Sequence, residues 1–124
     1  MKRLVLKSWL LLLYFACVMR FGDFKRLHRI VRKQKVKPSV KRGKTSKQLC
    51  DAVDWACVFY FRRVLCLQRS AATAVLLRHH GWNAQMVLGV QLLPFLSHAW
   101  VEIDRRIVND KPYMTEIFQV LERC

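Results

Sequence analysis

The stretch from Cys66 to Asp110 changes its hydrophobic period halfway along, and that change constrains the fold more than any other feature. It begins CLQRSAATAVLLRHHG. Ala71, Ala72, Ala74, Leu76 and Leu77 favour a helix over Leu65–His80, and Gly81 is suited to end it. AQMVLGV then reads as a strand over Ala84–Val90, and QLLPFLS as a loop around Pro94. In HAWVEI, His98, Trp100 and Glu102 alternate with Ala99, Val101 and Ile103, the period of a strand. Asp104-Arg105 marks a tight turn, and Ile107–Asn109 returns as the antiparallel partner before Pro112. The predicted class is α+β, with N-terminal helices packed with a small antiparallel sheet.

Upstream, Lys2 and Arg3 precede an uncharged run from Trp9 to Met19. It is short for a spanning helix, which needs about 20 residues, and no A-x-A site follows it. Three readings stand: a core helix, a membrane-surface or partner-binding helix flanked by Lys2, Arg3, Lys7 and Arg20, or a signal or anchor. Asp23 is suited to cap a short helix whose stripe is Phe24, Leu27, Ile30 and Val31. Residues 34–44, with Pro38 and Gly43 among lysines, read as a linker. Thr45 or Ser46 caps a helix over Thr45–Arg63. It is apolar almost all round after Asp54, so it should be largely buried. The tail MTEIFQVLERC fits either a short strand or a helix. The division is an apolar and basic helical region with linker over 1–44 and a domain over 45–124.

The formal net charge of +15 is concentrated at one end. Residues 1–47 hold fifteen Lys and Arg against Asp23 alone, and residues 48–124 hold eight against seven acids. The basic arm suits phosphate-bearing ligands, anionic lipid or an acidic peptide, or it is a solvated surface. No zinc-finger spacing or recognition helix points to specific nucleic-acid readout. Gly43-Lys44-Thr45 lacks the rest of a phosphate loop. The five cysteines include no CxxC pair and read as reduced thiols of a cytoplasmic protein. Cys50 and Cys57 have the i, i+7 spacing of a helical core face, and the adjoining His79 and His80 complete no metal site. No metal or cofactor is expected.

A thiol cleaves an amide well only as a thiolate, which a helix N-terminus and a nearby imidazolium both favour. Cys66 stands at the start of a predicted helix. His98 begins a strand, whereas His79 and His80 lie roughly 20 Å away at the helix's far end. A carboxylate that orients the imidazole completes the set. Asp104 is held in the turn, and the hairpin returns Asp110 towards His98. A strict two-residue turn would pair Ala99 with Asp110 and turn its side chain away from His98. The sequence therefore predicts an extra residue in the turn over 104–106, or a bulge. Trp100 covers the site or belongs to the core; Glu102 binds a substrate cation or faces solvent. Backbone N–H groups at Cys66 and Leu67 are the expected oxyanion donors.

These residues also carry a resemblance. CLQRSAATAVLLRHHG, AQMVLGVQLLPF, HAWVEID and VND, over about residues 50–121, resemble the transglutaminase-like cysteine peptidases that mature lasso peptides, above all their separate peptidase subunit, the B2 protein. The resemblance implies a papain/transglutaminase-like core, with Cys66, His98 and Asp110 as catalytic cysteine, histidine and aspartate. It implies removal of the leader from a ribosomally made precursor peptide. It implies as partners that leader, a separate leader-recognition protein of B1 type, and an ATP-dependent lasso cyclase. Where Arg105 stands, that family usually has glycine. Two other functions stay open: acyl transfer to an amine through the same thioester, and a non-enzymatic basic adaptor for anionic membrane or nucleic acid. The expected location is cytoplasmic, with membrane-surface contact through residues 1–33 as an alternative.

Overall fold

The computed structural model describes residues 2–22, 24–34, 46–61, 63–92, 95–111 and 114–124. Asp23, the linker residues 35–44, Thr45, Pro94 and Pro112, each given a role above, lie outside the described residues. Four helices come first: α1 (Lys2–Phe21), α2 (Phe24–Lys33), α3 (Ser46–Phe59) and α4 (Cys66–His79). Then follow β1 (Ala84–Leu92), β2 (Phe95–Ile103), β3 (Arg106–Ile107), the single turn α5 (Met114–Ile117) and β4 (Gln119–Arg123). This is the α+β arrangement expected.

The molecule is built around α4, whose residues from Ser70 to Arg78 are all buried. Its small side chains at Ala71, Ala72 and Ala74 let α1, α3, β1 and β2 all pack against it. Gly81 ends it at φ 86°. The Trp82 N–H reaches the Leu77 carbonyl at 3.0 Å and the Gly81 N–H the Arg78 carbonyl at 3.2 Å, the two bonds of a Schellman motif. Arg78, in the last turn, is buried and donates to the carbonyls of Ala84, Val31, Gln34 and Cys124. One guanidinium thereby ties α4 to α2, to β1 and to the strand that follows α5. Burial pushes its pKa down.

α1 enters the same core through Leu4, Leu12 and Phe15. Each fully buried side chain of this size contributes about 1.5–3 kcal/mol relative to exposure. Leu6, Leu10, Tyr14 and Phe21 on α1 remain exposed. The helix runs past the uncharged Trp9–Met19 run at both ends. At 20 residues it is long and apolar enough, by length and composition, to cross a membrane.

Two expectations about α3 are corrected. It stops at Phe59 rather than Arg63; Tyr60 and Phe61 leave the helix, and their rings meet Trp9 at 5.8 and 6.4 Å. Nor is its end buried: Trp55, Val58 and Phe59 are exposed, because only the face carrying Leu49, Cys50, Val53 and Ala56 turns to the core. The loop expected at 91–97 is also corrected. β1 runs on to Leu92 and β2 starts at Phe95, paired Leu92↔Phe95. The tail resolves its ambiguity by supplying both elements, α5 and then β4, which pairs with β1. The sheet order is β3-β2-β1-β4 and every pairing is antiparallel.

Candidate active site

Cys66 is the first residue of α4, as its position in the sequence predicts. Leu65 before it is extended, with φ −78° and ψ 151°, and offers no side-chain cap. Its own N–H is taken instead by Gln68 Oε1 at 3.4 Å. The other end of the Gln68 amide donates to the Leu12 carbonyl at 2.7 Å. The buried Gln68 thus fixes the first turn of α4 against α1. The first intrahelical bond runs from the Arg69 N–H to the Leu65 carbonyl at 2.9 Å. The N–H groups of Cys66, Leu67 and Gln68 lie ahead of that bond, so they have no acceptor within the helix. The Cys66 side chain is exposed.

His98 and Asp110 meet directly. The carboxylate Oδ2 lies 2.5 Å from His98 Nε2, so the ring nitrogen left for other chemistry is Nδ1. The route by which Asp110 arrives differs from expectation. The hairpin has a strict two-residue loop, with Ile103↔Arg106 and Glu102↔Ile107 paired. Asp104 (φ 51°) and Arg105 (φ 67°) are both left-handed, as a type I′ turn demands. The predicted extra residue is absent from the turn. Strand alternation does not govern Asp110, because the ladder ends before it. The Val108 N–H still donates to the Val101 carbonyl at 3.0 Å. The Val101 N–H, which a continuing ladder would give to the Val108 carbonyl, goes instead to Asn109 Oδ1 at 2.7 Å. The chain bends over residues 108–110, and alternation no longer decides which way Asp110 faces.

Asn109 is the residue that sequence reasoning missed. It is buried, and its amide nitrogen reaches Ser70 Oγ on α4 at 3.4 Å. Arg69 donates to the Asn109 carbonyl at 3.0 Å while it pairs with Asp54 at 2.7 Å. The bend is therefore pinned to α4 within one turn of Cys66. Around His98 the packing is aromatic. Phe118 lies 5.4 Å and Trp100 6.0 Å from its ring, centroid to centroid. Gly89 is the partner of His98 across β1. A Cβ there would come within 2.7 Å of the Trp100 ring and 2.9 Å of Phe118, so glycine makes the room this cluster uses. Trp100 is fully buried. Glu102 does not face solvent: it is buried, accepts from Trp100 Nε1 at 2.9 Å and pairs with Arg123 at 3.1 Å. The one sequence signal for Asn109 was its type, since a side-chain amide readily stands in for a backbone partner where a ladder ends.

Cys66 and His98 border one cleft of about 200 Å³, together with Leu67, Leu88, Val90, Ser97 and Leu121. No hydrogen bond joins the thiol to the imidazole among the described residues. Three further thiols are buried or half-buried. Burial, with Asp54 beside it, pushes Cys50 up to about 12. Burial pushes Cys124 up to about 11 and raises Cys57. These stay protonated at neutral pH. Among the described residues no group of three or more His, Cys, Asp or Glu is placed to hold a metal ion.

An exposed thiol at a helix N-terminus, beside a carboxylate-bound imidazole, is an arrangement for nucleophilic attack on a carbonyl. The microcin J25-processing protein McjB of Escherichia coli is 38% identical over 56 residues. That alignment spans 45% of this chain and 27% of the relative's length. No solved structure matches the chain significantly. The family model of the transglutaminase-like superfamily matches residues 9–123. That match runs from within α1 to the end of β4 and takes in Cys66, His98 and Asp110, so the chain belongs to the transglutaminase-like superfamily.

Proposed function

We propose that this chain is a cysteine peptidase that removes the leader peptide from a ribosomally synthesised lasso peptide precursor. The observation that carries the reading is the His98–Asp110 hydrogen bond at 2.5 Å on the cleft that Cys66 borders. The likeness to a microcin J25-processing protein supports the substrate class.

In this reading, filling of the cleft by the peptide brings His98 Nδ1 to the thiol, a contact that apo sites often lack. His98 takes the thiol proton, and Cys66 Sγ bonds to the scissile carbonyl carbon. The positive end of α4 and the free N–H groups of its first turn stabilise the oxyanion. His98 then gives its proton to the departing amine as the C–N bond breaks, which leaves a thioester. Water attacks the thioester and passes a proton to His98, and the S–C bond breaks to release the carboxylic acid. Asp110 holds the ring and balances its transient positive charge.

The partners in this reading are the precursor leader, a separate leader-recognition protein and the ATP-dependent cyclase that takes the released core. The outer face of α1, with Leu6, Leu10 and Tyr14 exposed between Lys2, Arg3, Lys7 and Arg20, is the proposed docking face for the recognition protein or the precursor. Contact of residues 1–33 with an anionic membrane surface, in an otherwise cytoplasmic protein, is the alternative use of that face. The superfamily match also favours a second reaction, in which an amine replaces water at the thioester.

The test is cleavage of a leader–core precursor supplied with its recognition protein. Wild type releases the leader, and folded Cys66→Ala does not. Retained cleavage in Cys66→Ala overturns the mechanism. Mass spectrometry of the product separates a free carboxylic acid from an amide formed with an added amine.

A further inference from the structure

The cleft beside Cys66 is bordered by a defect in the sheet. β1 and β4 pair as Leu88↔Glu122 and then as Gly89↔Val120. Leu121 therefore has no partner on β1 and is the extra residue of a β-bulge. A regular ladder would fix its side chain by alternation; a bulge re-aims it. Here it lines the cleft with Leu67, Leu88 and Val90. It does so while 65% exposed, so core packing does not account for its position. Apart from His98, no lining residue of this cleft is titratable except the nucleophile itself. At about 200 Å³ it falls below the roughly 300–1,000 Å³ of clefts that enclose a drug-sized ligand. It has the scale of a site for one side chain.

Building on the peptidase reading, we propose that Leu121 is a specificity-determining residue. With Leu67, Leu88 and Val90 it forms a subsite for one uncharged, apolar side chain, carried by the peptide residue next to the scissile bond. A charged side chain entering this cleft loses its hydration and meets no opposite charge, which disfavours it. An apolar one exchanges water for the four aliphatic walls. Because the Leu121 side chain is itself exposed, replacing it alters the subsite without emptying the core.

The experiment uses the full chain as wild type, Leu121→Ala, Leu121→Lys and Leu121→Met. Each is treated with peptidyl chloromethyl ketones that differ only in one side chain, leucine or aspartate, and the rate of Cys66 alkylation is read by peptide mapping. Iodoacetamide, which has no such side chain, controls for thiol reactivity. In wild type the leucine probe is expected to react about 10–100-fold faster than the aspartate probe. Leu121→Met keeps that ratio, Leu121→Ala lowers it about tenfold, and Leu121→Lys shifts it towards aspartate, each probe rate being divided by the same variant's iodoacetamide rate. An unaltered ratio in both Leu121→Ala and Leu121→Lys overturns the proposal. Cleavage of the precursor is measured in parallel. Leu121-dependent probe selectivity without precursor cleavage keeps the subsite and removes the leader-peptidase reading; cleavage with selectivity indifferent to Leu121 does the reverse.

Discussion

Replacing Asn109 by alanine tests whether one buried amide sets the geometry of the site. The substitution removes the acceptor that holds the Val101 N–H at 2.7 Å and the donor that reaches Ser70 at 3.4 Å. The first loss leaves a buried N–H without a partner, which costs about 1–3 kcal/mol; the second bond is long and adds little. A total near 2 kcal/mol is a sizeable part of the roughly 5–15 kcal/mol that holds a domain folded. It corresponds to a fall in melting temperature of roughly 8 °C for a chain of this size. Activity should fall as well, because the bend over 108–110 places Asp110 against His98. A displacement of about 1 Å costs on the order of 10²-fold in rate. Asp110→Ala, which removes the orienting carboxylate, should cost at least as much. The discriminating measurement is a double-mutant cycle on single-turnover leader cleavage, with urea unfolding of each variant alongside. If Asn109 acts through Asp110, Asn109→Ala costs nothing further in the Asp110→Ala background. Additive losses in kcat, or an Asn109→Ala protein as stable as wild type, would refute this account of the bend.

Alkaline pH should destabilise the fold through its buried thiols. Cys50 at about 12 and Cys124 at about 11 lie above the ordinary thiol value of 9.0, so between those values the unfolded chain loses protons that the folded chain keeps. Stability should hold below pH 9 and fall as pH rises towards 12, and Cys50→Ala should flatten the decline in urea midpoints; a wild-type midpoint unchanged to pH 11 would contradict this. Arg105→Gly relieves a left-handed arginine at φ 67°, a strain of roughly 1–2 kcal/mol. Glycine's greater unfolded freedom offsets about 0.4–1 kcal/mol, so a net gain of about 0.5–1 kcal/mol is expected in thermal unfolding; a loss would show that Arg105 makes a compensating contact. Brief native treatment with iodoacetamide should label the exposed Cys66 and Cys17 and spare the buried Cys50 and Cys124. Peptide mapping checks the pattern, and labelling of Cys50 or Cys124 in the folded chain would contradict their burial.

Where a local rule governed a residue completely, the sequence could be read to the residue. Cys66 begins α4 and Gly81 ends it, because a glycine-stopped run of alanine and leucine leaves a helix little freedom in where it stands. His98, Trp100 and Glu102 share a face of β2 because β2 remains paired along its length. Reading failed where a tertiary partner competed with a local preference. Tyr60 and Phe61 fit a longer α3, but Trp9, about fifty positions earlier, draws them off it. Leu92 and Phe95 look like loop on either side of Pro94, yet each pairs across the hairpin. Glu102, left by its sequence position to a substrate cation or to solvent, is buried because Arg123 and Trp100 Nε1 satisfy it. Arg123 belongs to the tail that the sequence left undecided between strand and helix.

The register of Asp110 shows most sharply why a site is harder to read than a fold. Alternation predicts side-chain direction only while each backbone N–H has a backbone carbonyl opposite, and at Val101 an asparagine side chain takes that place. A second interruption occurs across the sheet, where the bulge between Leu88 and Gly89 turns Leu121 to the cleft. Both departures flank the same centre. An uninterrupted ladder would have turned Asp110 away from His98, and it would have given Leu121 a partner and an alternating direction. Asp110 thus reaches His98, and Leu121 reaches the cleft that His98 borders, because the ladder is broken on both sides of them. Such breaks are set by individual hydrogen bonds rather than by hydrophobic period, so periodicity predicts the sheet and is silent about the places where it ends.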